Sequence, residues 1–118
     1  MRDRDLYVHR VFNAVAIDAD GNTTSGAIDL RDYKPIGNFA VQVKTTSAGA
    51  AVVKLEYLLS IDGVTYVTPT GADDIVTAHA VGSQYYDFAP ETACFLKIKA
   101  TETGSVAVTA LTVDLVVQ

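Results

Sequence analysis

Residues 54–67, KLEYLLSIDGVTYV, set Asp62-Gly63 between two runs rich in Val, Leu, Tyr and Thr. Asp-Gly in that setting is a strong local hairpin signal, because glycine accepts the positive φ that a tight turn requires. The rest of the chain has the same texture. Phe39, Val41 and Val43 alternate with Ala40, Gln42 and Lys44, as do Val53, Leu55, Tyr57 and Leu59 with Lys54 and Glu56. Cys94, Leu96, Ile98 and Ala100 alternate with Phe95, Lys97 and Lys99. Period-two alternation places one set of side chains on a core face and the other toward water.

Read this way, strands are predicted over residues 6–17, 25–30, 39–44, 53–59, 64–67, 75–80, 85–88, 94–100 and 106–117, separated by Gly-, Pro- and Asp-bearing turns. A parallel sheet needs crossover helices, and no stretch carries a helical period. The pattern predicts an all-β chain: a single antiparallel β-sandwich, jelly-roll-like, of about eight to nine strands. Its 118 residues make one domain, with residues 1–5 as an N-terminal arm, and a hydrophobic content of 49% supplies a core.

Charge and cysteine usage narrow the function classes. The net charge is −5 and the nine Lys and Arg are scattered, so no basic stripe awaits nucleic acid. No apolar run is long enough to span a bilayer, and none follows Met1-Arg2-Asp3-Arg4-Asp5 as a signal segment would, which predicts synthesis in the cytoplasm. The single cysteine, Cys94, forms no intrachain disulfide, and Ala93, Phe95 and Leu96 around it predict a small buried hydrophobe.

Four sets of residues invite a chemical reading. Asp18, Asp20 and Asn22 have the alternate spacing of a calcium loop and Asp29 falls at its twelfth position, but Thr23 stands where the turn glycine belongs and no Glu closes the loop. An Asp/Asn/Gly turn explains the same residues, and no metal or cofactor is assigned. His79 with Asp73, Asp74 and Ser83 supplies hydrolase residue types without a nucleophile elbow or oxyanion motif, and His9 is distant; no catalytic residue is assigned. Tyr57, Tyr66, Tyr85 and Tyr86 would suit an aromatic platform for glycan, or equally a protein interface or the core. Arg2-Asp3-Arg4-Asp5 reads as a solvated end or as a docking arm, and the apolar run 111–118 as a strand that must pair within its own sheet or with another subunit.

The order Ala27-Ile28-Asp29-Leu30, Phe39-Ala40-Val41-Gln42-Val43, Ser60-Ile61-Asp62-Gly63-Val64-Thr65-Tyr66, Phe95-Leu96-Lys97-Ile98-Lys99-Ala100-Thr101-Glu102-Thr103-Gly104 and Leu115-Val116-Val117-Gln118 resembles small β-sandwich virion proteins of tailed bacteriophages and prophages, head decoration proteins in particular. The resemblance covers residues 25–118, with Tyr66 where many such chains carry Trp. It implies a structural, non-enzymatic virion protein that binds the phage head. Its partners would be the major capsid protein or other virion proteins, and it would assemble as a trimer or dimer. Expected contacts are Arg2, Arg4, Leu6 and Tyr7 of the arm and loop residues near Tyr66 and Tyr85. A carbohydrate-binding or host-adhesion module, or a tail or neck component, are the alternative readings.

Overall fold

A computed structural model describes residues 7–31 and 38–117. Their nine strands are β1 (Tyr7–Ile17), β2 (Asn22–Thr24), β3 (Ile28–Asp29), β4 (Phe39–Thr46), β5 (Val52–Ser60), β6 (Val76–Ala80), β7 (Gly82–Phe88), β8 (Phe95–Glu102) and β9 (Val108–Val117). They form two antiparallel sheets, ordered β1-β9-β4-β7 and β2-β8-β5-β6, with β3 also paired to β8. The pairing is nested: β1 with β9, β2 and β3 with β8, β4 with β7, β5 with β6. A long hairpin rolled on itself gives this order, so the sandwich is jelly-roll-like.

The alternation seen in the sequence becomes the inner faces. Val41 and Val43 of β4, Val53, Leu55, Tyr57 and Leu59 of β5, Leu96 and Ile98 of β8, and Leu111, Val113, Leu115 and Val117 of β9 are all buried in one core. Each such aliphatic side chain contributes about 1.5–3 kcal/mol when removed from water. Thr45 shares the inner face of β4 at 2% exposure, and its hydroxyl has no hydrogen-bond partner. A buried unpaired hydroxyl is a net cost, so Thr45→Val is expected to stabilise the fold by about 1 kcal/mol in urea denaturation. A loss of stability instead would mean that the hydroxyl has a partner.

Two strand boundaries differ from the sequence reading, each for a local reason. Of the predicted strand 25–30 only Ile28–Asp29 pairs, as β3, and a separate short strand, β2, lies before it at Asn22–Thr24. Ser25 interrupts the ladder: its hydroxyl accepts the Ile98 N–H at 3.0 Å and donates to the Gly26 carbonyl at 2.9 Å. The predicted return strand 64–67 is a single bridge between Leu59 and Val67. Asp62 does not sit in a two-residue turn. Its Oδ1 accepts from Val64 N, Thr65 N and Ser60 Oγ, all at 2.9 Å, and this Asx arrangement holds residues 60–66 as a wide loop.

The first strand is irregular. Its pairing with β9 slips three times between Arg10 and Ile17, and Ala14 takes a positive φ of 52°. Bulges of this kind twist an edge strand away from further pairing.

At one end of the sandwich the turns are joined by a buried carboxylate. Glu102 is 1% exposed, and its oxygens accept four backbone N–H groups: Asp20 at 3.0 Å, Val52 at 3.0 Å, Gly104 at 2.6 Å and Val106 at 3.1 Å. Burial alone would raise its pKa, but the four donors outweigh that and hold it at about 2. A Cβ on Gly104 would meet Glu102 Oε2 at 3.0 Å and the Ala50 carbonyl at 3.2 Å, so a side chain there would crowd the cluster.

Candidate functional site

The opposite end of the sandwich gathers the β5–β6 loop, residues 61–75, and the β7–β8 loop, residues 89–94. Three aliphatic side chains project from the first loop: Ile61 is 80% exposed, Val64 83% and Val67 56%. The loop that carries them is held on several sides. Asp62 caps it from within, and the carboxyl stays charged because the Thr65 N–H, the Val64 N–H and the Ser60 hydroxyl lower its pKa. Gly63, at a φ of 76°, lies so close to Phe95 that an added Cβ would sit 3.1 Å from the ring. Tyr66 lies against β8, with the Lys97 ammonium 4.2 Å above its ring. Reciprocal backbone bonds between Leu59 and Val67, 2.9 and 3.0 Å, close the base. Exposed aliphatics on a held loop present an apolar patch whose ordering entropy has been spent in folding.

Beside the tip lies a depression of about 510 Å³ lined largely by apolar groups, Leu59, Ile61, Val67, Pro69 and Ala93 among them. A second, of about 440 Å³, adjoins it through Glu91 and is bordered by Asp73, Asp74 and Asp87. None of the described residues lining either depression is basic. Tyr57 connects this surface to the core. Its ring packs 5.5 Å from Phe88, and its hydroxyl donates to Glu91 at 2.8 Å. Burial first, and the Glu91 carboxylate second, push the Tyr57 hydroxyl up to about 12.

The four tyrosines do not make one platform. Tyr57 is buried in the core. Tyr86 faces inward, where its hydroxyl meets His79 Nδ1 at 3.0 Å. Tyr85 is 64% exposed on the outer face of β7, opposite Gln42 of β4. Tyr66 lies with Lys97 on the outer face of the other sheet, and its hydroxyl oxygen is buried without a partner. Strand alternation decides this, because Tyr85 and Tyr86 are adjacent and must point to opposite faces. Tyr85 borders a shallow depression of about 540 Å³ with Asn38, Ala40, Asp87 and Val116. In its row, the outer face continues through Gln42 to the Arg10–Asp114 pair, 2.8 Å apart.

The oxygens of the calcium-loop reading are held apart. Asn22 pairs opposite Thr101 and Asp29 opposite Phe95, six residues along β8 and so roughly 20 Å. Asp20 accepts from Ser105 Oγ at 3.0 Å, Asp29 is bound by Arg31 at 2.8 Å, and Asp18 uses its carbonyl to accept the Gly21 N–H. Arg31, paired this way, holds Asp29 at about 2, chiefly through its side-chain hydrogen bond.

The hydrolase set does not assemble either. His79 is 1% exposed between the sheets, and its Nε2 lies 3.2 Å from the Gly82 carbonyl. That carbonyl can only accept, so Nε2 carries the proton and Nδ1 accepts from Tyr86. Ser83 is exposed on the outer face of β7, on the other side of the sheet from this pair. Cys94 is half-buried rather than buried, at the entry to β8.

Among the expected contacts, Arg2, Arg4 and Leu6 lie outside the described residues, and Tyr7 is described only as the first backbone position of β1. Tyr85 is exposed, but on a strand rather than a loop, and Tyr66 is half-buried. Ile61, Val64 and Val67, which the sequence reading passed over, are the prominent exposed groups of the same loop. Their signal was present: aliphatic residues flanking Asp62-Gly63, hidden because Ile61 falls in the expected turn and Val64 and Val67 in the expected return strand.

No protein-family model matches the chain, and no curated protein does. Solved structures do. XepA, an exported protein of PBSX, superposes with a TM-score of 0.63 at 11% identity, over 94% of this chain and 36% of XepA. YomS, derived from the SPBc2 prophage, gives 0.52 at 12% identity, over 99% of this chain and 97% of YomS. The CBM22-1 xylan-binding domain of Paenibacillus barcinonensis Xyn10C gives 0.51 at 13% identity, over 95% of this chain and 79% of that domain. This chain therefore spans about a third of the length of XepA and nearly all of YomS. At such identities the likeness establishes the fold: a β-sandwich shared with phage-derived proteins and with a carbohydrate-binding module.

Proposed function

We propose that this chain is a structural subunit of a bacteriophage particle, an accessory protein of the head that adheres to the capsid and reinforces it. It acts through contacts and not through chemistry. The observation that carries this reading is the held apolar tip, Ile61, Val64 and Val67. The two phage-derived proteins of the same fold support the setting. Copies placed on the major capsid protein at local symmetry axes, as dimers or trimers, need only modest contacts each, because repetition multiplies their effect.

The test is electron microscopy of particles with and without the gene, together with antibody labelling. The expected result is label on the head and a shell that ruptures more readily when the protein is missing. Label on the tail would move the protein to the tail or neck, and absence of label from purified particles would refute a virion role.

A second reading is favoured by one observation, the exposed ring of Tyr85 beside a polar depression on the outer face of the β1-β9-β4-β7 sheet. An aromatic face next to Asn38 and Asp87 is suited to a neutral sugar, and a xylan-binding domain shares the fold. Glycan-array binding that disappears in Tyr85→Ala would establish this second role. An empty array would remove it.

A further inference from the structure

We infer that the loop end of the sandwich receives a segment of another protein in which an apolar side chain stands close to lysine or arginine. The inference rests on the adhesive reading of this loop and names the chemistry of what it adheres to. Two neighbouring features carry it. The tip and its depression, Ile61, Val64, Val67, Leu59 and Pro69, offer an apolar seat on a loop whose conformation is already held. Directly beside it, Asp73, Asp74, Asp87 and Glu91 border the second depression, and among the described residues no basic group lines either one.

An apolar anchor entering the first depression would place its neighbouring residues over these carboxylates. Lysine or arginine there gains from their combined field, and an acidic residue is repelled. The same charges argue against a second copy of this chain. A two-fold contact at this end would bring Asp62, Asp73, Asp74 and Glu91 toward their own counterparts, in a protein whose net charge is already −5. Among the described residues, the cations beside this loop are engaged elsewhere: Lys97 lies over the Tyr66 ring, and Arg31 is bound to Asp29 and lies over Phe95. They sit on the outer face of the β8 sheet and do not neutralise the acidic depression.

Panning a random linear peptide library on the immobilised chain tests this without any virion, so its outcome is separate from where the protein sits in a particle. Parallel panning uses Ile61→Ser/Val64→Ser and Asp73→Asn/Asp74→Asn. All four substitutions are at loop positions outside the core cluster, and circular dichroism confirms that the variants fold. The expected winners join an apolar residue to Lys or Arg. A synthetic peptide of that sequence should lose about tenfold or more in affinity on either variant, and should weaken as sodium chloride is raised. Enrichment of neutral or acidic sequences, equal binding to the variants, or no enrichment at all would overturn the inference. So would concentration-dependent dimerisation of the wild-type chain that Ile61→Ser/Val64→Ser abolishes, since a second copy would then be the occupant.

Discussion

Glu102→Gln is expected to lower the unfolding free energy by about 3 kcal/mol and the melting temperature by roughly 10 °C, although the substitution changes almost nothing in volume. The carboxylate accepts four N–H groups from the β1–β2, β4–β5 and β8–β9 turns and donates nothing. A glutamine presents its own N–H₂ to two of those donors and accepts from the others without charge, so two buried N–H groups lose their partner. Guanidinium denaturation measures the effect. A loss below about 1 kcal/mol would show that water replaces the carboxylate and that the turns are not joined through it.

The same group sets an acid limit. Its folded pKa of about 2 lies below the ordinary 4.5, so the folded state binds the proton less readily than the unfolded chain. Its stabilisation is complete above about 4.5 and is lost as pH falls through that value toward 2. His79 acts at higher pH with the same sign. Burial lowers its pKa below 6.5, partly offset by the Gly82 carbonyl, so the neutral ring favours folding and stability declines as pH falls below 6.5. Acid denaturation should therefore show two descending stretches. Glu102→Gln should make the lower one shallower, Asp29 and Asp62 carrying what remains of it, and leave the upper one in place.

Asp62→Ala is expected to free the β5–β6 loop while leaving the sandwich folded. Three bonds converge on one carboxylate oxygen, from Ser60 Oγ, Val64 N and Thr65 N, and alanine removes them all. Amide exchange at Val64 and Thr65 should quicken by roughly tenfold or more, with core amides unchanged, because loops open locally without global unfolding. Affinity for whatever docks on Ile61 and Val64 should fall in parallel, since the apolar tip would have to be ordered on binding. Unchanged exchange at Val64 and Thr65 would mean that the Gly63–Phe95 and Tyr66–Lys97 contacts suffice to hold the loop.

Much of the fold was legible in residue order because strand alternation is a local property. Val41 and Val43 against Gln42 and Lys44, or Leu96 and Ile98 against Lys97 and Lys99, declare inner and outer faces without reference to any partner. The structure departs from the local pattern where a side chain takes the place of a backbone partner. Ser25 took over a ladder bond from within, and Asp62 converted an expected tight turn into a wide, held loop. The loop that carries Tyr66 was legible as a candidate contact, but its exposed groups are the aliphatic neighbours Ile61, Val64 and Val67.

What residue order settled was a helix-free, two-faced polypeptide with an apolar interior, since side-chain period and turn chemistry act over a few residues at a time. What awaited the folded molecule was everything that depends on which strands become neighbours. Glu102 became a buried acceptor only when residues of three separate connections converged on it, and His79 found its partner only when the second sheet brought Tyr86 to its ring. Asp73, Asp74, Asp87 and Glu91 became one acidic depression only when two loops and the end of β7 met at the same end. Contacts between distant segments are fixed by the closure of a shared core, and no local signal in the chain encodes them.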